Sequence, residues 1–311
     1  MTKKNTTPKP YLSILLIVFT LFSSLEAFPV DSVIRIAAGR PTGSYYPVAL
    51  QICSVINKYS SLSKCEVINS SGTINNLNLL ASGRVDFAFV LSDTARDAAT
   101  GKGFFEGQDP IKDLRFVLNI FTQTLTILAK DEKLVSTFGD LNGKKIGSNL
   151  RGATSRWAIN RLNSVFKFDS EPKFVHLSDN QMATALCNDD VDAVALFVSH
   201  PNAIVSDISK SCNVEFVGFD PIKLDSFISA NPFYSKIIIN PGPYKNISRS
   251  TITLTTQGIL VANTSTPKEK VDLLINALRR YFDDFQQSLP DLANMTKETI
   301  FNSETFGLAP Y

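Results

Sequence analysis

The sequence predicts an α/β protein of two similar lobes, each a mostly parallel sheet flanked by helices. Three observations carry that expectation. The order strand, glycine loop, helix occurs twice, the strand that closes each unit is a continuous apolar run, and the two units align at a nearly constant offset. Uninterrupted apolar strands are buried on both faces, which is the condition of a parallel sheet covered by helices.

The first unit opens on the apolar run Val33 to Ala38 and the turn cluster Gly39 to Gly43. Val48, Ile52, Val55, Ile56 and Tyr59 then recur at helical spacing. Pro47 suits the first turn of that helix, where its missing N–H would have had no partner. Ile74, Leu77, Leu80 and Ala81 mark a second helix, ended by Gly83 and followed by the buried strand Val85 to Leu91.

The second unit runs from Lys145 to Gly147 through the loop Arg151 to Ser155 into a helix marked by Ala158, Ile159, Leu162, Val165 and Phe166. Ser178 and Gln181 form a capping-box signature for the next helix, which carries Met182, Ala185 and Leu186; Val191 to Val198 is the closing strand. Superposing LLASGRVDFAFVLS on ALCNDDVDAVALFVS places Val85-Asp86 over Val191-Asp192 at an offset of 106, while Gly43 and Gly152 differ by 109. Near the end, Thr266, Pro267 and Glu269 begin one long helix with Val271, Leu274, Ile275, Leu278, Phe282 and Phe285 on its apolar face, expected to lie on the first lobe.

The first 27 residues have another character. Lys3, Lys4 and Lys9 precede an apolar run from Tyr11 to Phe22, then Ser23 and Ser24, and Ala27 offers a cleavage position. This reads as a secretory signal peptide, since a run of about a dozen residues is short of the roughly 20 that span a bilayer. The expected location is therefore periplasmic. Without the leader, 28 basic and 28 acidic residues remain, a balance that argues against a nucleic-acid partner. All four cysteines, Cys53, Cys65, Cys187 and Cys212, lie in the exported portion. Of the three possible connectivities, pairing of sequence neighbours, Cys53 with Cys65 and Cys187 with Cys212, is the simplest.

Catalytic and cofactor signatures are missing: the chain has no Gly-x-Ser-x-Gly elbow, P-loop or dinucleotide fingerprint, and only two histidines, His176 and His200. No cofactor or metal is expected. An enzyme would need dispersed residues such as Ser44 and His200 brought together by folding. What recurs instead is a small, polar loop ahead of a helix: Gly43-Ser44-Tyr45-Tyr46, then Ser70-Ser71-Gly72-Thr73, then Arg151-Gly152-Ala153-Thr154-Ser155. Helix N-termini present unpaired N–H groups and partial positive charge, so three such loops could enclose one small anion. The alternative for each loop is that its hydroxyl caps its own helix. Arg151 could add a guanidinium fork for a carboxylate.

These loops also carry a family resemblance. TGSYYPVA (Thr42 to Ala49), SSGTINNLNLLASGRVDFAFVLSD (Ser70 to Asp93), DLNGKKIGSNLRGATSR (Asp140 to Arg156), DNQMATALCNDDVDA from Asp179 and TPKEKVDLLINAL from Thr266 together resemble the TAXI family of TRAP transporter solute-binding proteins. The sequence departs from that pattern at Arg151, at Asn188-Asp189 and at Asn240-Pro241-Gly242. The resemblance implies a type II periplasmic-binding fold, with lobe 1 over residues 28–125 and 237–311 and lobe 2 over residues 126–236. It implies a ligand resembling glutamate or a 2-oxoacid dicarboxylate, and a TRAP membrane permease as partner. Its ligand loops map onto Gly43, Ser44, Tyr45 and Tyr46, onto Ser71, Gly72 and Thr73, and onto Gly152, Ala153 and Thr154. Asp93, Phe197 and Ser199 are further candidates, the last two because ligands of open α/β sheets bind beyond the carboxyl ends of strands. A sensory binding protein of the same fold is the alternative to a transport receptor, and an exported enzyme a more distant one.

Overall fold

The computed structural model of the chain describes residues 1–2, 33–61, 63–131, 135–149, 154–293, 295–302 and 307–311. From residue 3 onward the expected signal peptide lies outside the described residues, as do Arg151, Gly152 and Ala153. Among the described residues, no helix is long and apolar enough to cross a membrane.

Residues 33–311 build one hydrogen-bonded sheet path with helices on both faces. Its first half is β1 (Val33–Gly39), α1 (Tyr45–Tyr59), β2 (Lys64–Asn69), α2 (Thr73–Ala81), β3 (Phe87–Leu91) and α3 (Ser92–Thr100). The long strand β4 (Leu114–Lys130) leads into the second half: β5 (Lys145–Ser148), α4 (Thr154–Phe166), β6 (Lys173–His176), α5 (Asp179–Cys187), β7 (Ala193–Val198), α6 (Ala203–Ser211), β8 (Val214–Phe216) and α7 (Pro221–Ala230). Strands β9 (Ser235–Ile239) and β10 (Thr251–Asn263) return the chain to the first half, which α8 (Lys268–Arg280), α9 (Phe282–Gln287) and α10 (Lys297–Phe301) complete.

The repeat seen in the sequence is real in three dimensions. β1 pairs in parallel with β2 and β3, and β5 pairs in parallel with β6 and β7. Even the aligned aspartates do the same thing: Asp86 Oδ2 accepts from the Arg35 amide at 2.8 Å and Asp192 Oδ2 from the Lys145 amide at 2.8 Å. Each carboxylate ties the turn ahead of the third strand to the start of the first.

Side-chain alternation explains the apolar runs. Phe87 and Phe89 of β3 enter a core with Ile52 and Ile56 of α1 and Leu274 and Leu278 of α8, while Ala88 and Val90 face Leu77 and Leu80 of α2. In β7, Ala193 and Ala195 meet Ile159 and Leu162 of α4, and Val194 and Leu196 meet Met182 and Leu186 of α5. The Ser178–Gln181 capping box forms at the start of α5.

The α/β architecture is the expected one, and antiparallel strands join its two parallel sets: β10 runs antiparallel to β3, β4 and β9, and β4 antiparallel to β7 and β8, so two adjacent long strands carry the ladder from one half to the other. One expectation needs correction. The long C-terminal helix is broken at Tyr281, with Phe282 and Phe285 on α9 rather than α8; both segments still reach the first-half core.

Cys53 is bonded to Cys65 and Cys187 to Cys212, at sequence separations of 12 and 25. On the chain-entropy view, closing these loops stabilises the native state by about 3 kcal/mol each, somewhat more for the longer one. Full reduction under native conditions should lower the denaturation midpoint, and separate Cys→Ala pairs should show the larger loss for Cys187 with Cys212. Urea titrations of the two double variants check the order.

Candidate functional site

The carboxyl ends of β1, β3, β5 and β7 open onto one small cavity of about 90 Å³. From the first half it is lined by Ala38, Gly39, Arg40, Gly43, Ser44, Tyr45, Ser71, Gly72, Thr73 and Leu91. From β4 and the second half come Gln123, Asn149, Thr154, Ser155 and Phe197. The N-termini of α1, α2 and α4 therefore converge on it. Gly39 and Gly72 hold φ of 86° and 109°, and a Cβ on Gly39 would stand 3.9 Å from the Gly72 Cα. Side chains are strained at both positions, and their absence keeps the two loops close to the cavity.

Hydroxyls here are not used as helix caps. Ser44 occupies the N-cap position of α1 without capping it; its Oγ accepts instead from the Ser199 amide at 3.4 Å, across to the second half. Gly72 is the N-cap of α2, and Ser70, hydrogen-bonded to Asn76, accepts from the Gly72 amide at 3.1 Å. Asn76, fully buried, donates to Phe89 O at 2.6 Å and so anchors the loop to β3.

Two buried hydroxyls in the wall have no hydrogen-bond partner among the described residues: Tyr45 Oη and Ser155 Oγ. Unpaired buried polar atoms are uncommon, each costing about 1–3 kcal/mol. The Tyr45 ring is held in place by stacking on Phe89 and Phe121, with centroids 5.1 and 5.8 Å away, and by the bare Gly258 backbone, where a Cβ would come within 2.8 Å of Tyr45 Cε1. Burial, reinforced by the charge of Asp93, pushes the phenol's pKa far up against a smaller opposing effect of the Thr73 hydroxyl, so Tyr45 stays a proton donor at every physiological pH.

The mouth of the cavity is crossed by polar contacts between the halves. Asp179, the first residue of α5, accepts from Arg40, from Thr42 and, at 2.6 Å, from Asn149 Nδ2. Further out, Arg161 of α4 pairs with Asp97 of α3, and Tyr234 donates to Asp93. Asp93 is 3% exposed, and burial raises its pKa against the lowering effects of the Tyr234 hydroxyl and the Arg161 charge.

Of the residues singled out in the sequence, Gly43, Ser44, Tyr45, Ser71, Gly72, Thr73, Thr154 and Phe197 stand together on the cavity wall. Three others stand elsewhere. Tyr46 turns into the first-half core, Asp93 is occupied by Tyr234, and Ser199 sits behind the wall, accepting from Gln123 Nε2 at 2.8 Å. Arg40, Gln123 and Asn149 are not among the residues the sequence singles out: Arg40 sits inside the Gly39–Gly43 turn cluster and Asn149 just after β5, but neither is a hydroxyl or glycine ahead of a helix, and Gln123 lies mid-strand in β4. Ser44 and His200 form no catalytic pair. His200 Nε2 lies 2.8 Å from Thr126 Oγ1 and Nδ1 lies 2.6 Å from Tyr244 Oη.

Burial lowers the His200 pKa from 6.5 to about 4. The unfolded chain thus binds a proton that the native state refuses between those values. Stability should be at its full value above pH 6.5, fall as the pH drops towards 4, and level off below it, by about 3 kcal/mol from this group. His200→Gln should remove that portion of the acid sensitivity, measured by urea unfolding at pH 7.5 and pH 4.5.

The fold and the site can be set beside known proteins. Solved structures with similar architecture include the ligand-binding component of an ABC-type import system from Staphylococcus aureus, crystallised with zinc, at 15% identity and a TM-score of 0.50 over 85% of this chain and 79% of that one. The periplasmic aliphatic sulphonate binding protein of Escherichia coli matches at 15% identity and a TM-score of 0.50, over 85% and 74% of the two chains. A substrate binding protein of an amino acid ABC transporter matches at 14% identity and a TM-score of 0.51, over 82% and 96%. The shared feature is the fold of solute-binding proteins. At the level of sequence, the model of the NMT1-like family matches residues 36–310.

Proposed function

The chain belongs to the NMT1-like family, and from that premise we propose that it is a periplasmic receptor that captures a small anionic metabolite between two lobes and hands it to a membrane transporter. The observation that carries the reading is the pair of buried, unpartnered hydroxyls, Tyr45 Oη and Ser155 Oγ, in a cavity where three helix N-termini meet. Both hydroxyls can donate to a carboxylate oxygen, and the helix termini add unpaired N–H groups and favourable potential for negative charge. Tyr45 belongs to the first half and Ser155 to the second, so a ligand that satisfies both favours the closed arrangement.

In this reading lobe 1 comprises residues 28–125 and 237–311 and lobe 2 residues 126–236, with β4 and β10 as the hinge. The ligand is a glutamate- or 2-oxoglutarate-like dicarboxylate, and the transporter a TRAP permease of the kind the TAXI resemblance implies. Among the described residues of the cavity no nucleophile is paired with a base, and transport requires binding and release without turnover. Titration calorimetry of the protein against glutamate, 2-oxoglutarate, succinate and short sulfonates tests the proposal. Saturable heat with at least one of these anions, lost in Ser155→Ala, is the expected result; no heat with any of them would overturn it.

A further inference from the structure

A second and larger cavity, about 650 Å³, opens on the opposite face of the β4 and β10 strands. Alternation along β4 separates the two: Gln123 lines the small cavity, whereas Thr122 and Thr124 line the large one. Its volume falls in the range of about 300–1,000 Å³ found for small-molecule sites. The function proposed above makes no use of it.

Its chemistry is distinctive. No Asp, Glu, Lys or Arg is present among the described lining residues, and the sole titratable imidazole there, His200, is kept neutral above about pH 4 by burial. Ile237, Ile239, Phe121, Pro290 and Met295 supply hydrocarbon walls, and Ile238 adds an exposed isoleucine at the rim, 58% accessible. Among the buried polar atoms of its wall one is left over: Asn119 Oδ1 has no hydrogen-bond partner among the described residues. A bulge makes this possible. The β4–β10 register shifts so that Asn119 opposes Ile259 and Phe121 opposes Gly258, with Ile120 extra between them. Bulges re-aim side chains, and here four consecutive residues, Asn119, Ile120, Phe121 and Thr122, border the same cavity.

An ionised ligand would lose hydration in this cavity with no opposite charge to meet it. A hydrocarbon alone would leave the asparagine acceptor unpaired. We propose that the cavity behind β4 and β10 is a second binding site, for a neutral amphipathic molecule whose N–H or O–H donor reaches Asn119 Oδ1 while its aliphatic part lies against Ile237, Ile239 and Met295. This site is independent of the anion-binding reading. It lies next to the strands that join the two halves, and the Gln123–Ser199 hydrogen bond connects its wall to that of the small cavity.

Hexanamide and hexanoate make a matched pair of probes: equal chain length, a neutral donor head in one and a charge without a donor in the other. Saturation-transfer NMR and calorimetry on the full chain at pH 7.5 should show saturable hexanamide binding, with hexanoate at least tenfold weaker. Asn119→Leu should weaken hexanamide at least fivefold. Should that strand variant fail to fold, Ile238→Asp, at an exposed position, should weaken hexanamide by placing a charge at the rim. Failure of hexanamide to saturate, equal affinity for hexanoate, or unchanged binding in a folded Asn119→Leu or in Ile238→Asp would each overturn the assignment. None of these outcomes bears on glutamate or 2-oxoglutarate binding, which is measured separately.

Discussion

Tyr45→Phe is expected to stabilise the ligand-free protein and at the same time to weaken its grip on an anion. The ring packs between Phe89 and Phe121 over Gly258, and phenylalanine preserves all of that contact. The hydroxyl that is lost is buried and unpartnered. Its removal should therefore add about 1–2 kcal/mol of stability. A hydrogen bond from that hydroxyl to a charged ligand is worth about 1.5–3 kcal/mol, so affinity should fall roughly tenfold to a hundredfold. Denaturation of the empty protein and calorimetry with the anion identified by screening measure the two halves of this prediction. A rise in stability with unchanged affinity would place the ligand away from Tyr45.

Asp179→Ala should act on release rather than on the binding wall. Asp179 lines neither cavity, yet it gathers Arg40 and Thr42 from the first half and Asn149 from the second. The side chains of Arg40 and Asp179 are 30% and 13% exposed. Loss of a fully buried partner costs about 3–5 kcal/mol, and partial exposure reduces that here to about 2 kcal/mol. If closure traps the ligand, dissociation should accelerate about thirtyfold while association changes little. Stopped-flow displacement of bound ligand separates the two rates. Equal slowing of association would mean that Asp179 organises the open site instead.

How much of this was legible in the sequence depended on how local the signal was. Helix α1 could be read from Val48, Ile52, Val55 and Ile56 because one apolar face at a period of 3.6 is a local property, and all four are buried. Tyr59, assigned to the same face, is 38% exposed, since the helix ends there and the ring meets Tyr281 edge-on. The capping box at Ser178 was visible for the same reason, as two side chains three residues apart decide it. Strands β4 and β10 are harder. Their middles carry Asn119, Gln123 and several threonines, which break the apolar run, and they pair with each other across more than a hundred residues of chain. The glycine and hydroxyl loops pointed to the small cavity because the N-terminus of a helix is also a local feature. Arg40 lies within one of those loops, but its role, like that of Asn149, is set by a shared carboxylate from α5, and Gln123 is defined by its bond to Ser199. Folding alone brings such partners together.

The two disulfides have a consequence for how oxidation and cargo can influence each other. Cys53–Cys65 ties α1 to β2, and Cys187–Cys212 ties the end of α5 to the end of α6. Each bond is confined to one half of the sheet, and neither spans β4 or β10. The closure proposed about those strands would thus stretch no covalent link, and each half can be oxidised before, during or after it meets its neighbour. Redox state and ligand occupancy should then be thermodynamically additive: reduction ought to lower the unfolding free energy of free and ligand-saturated protein by the same amount, leaving the ligand's dissociation constant where it was.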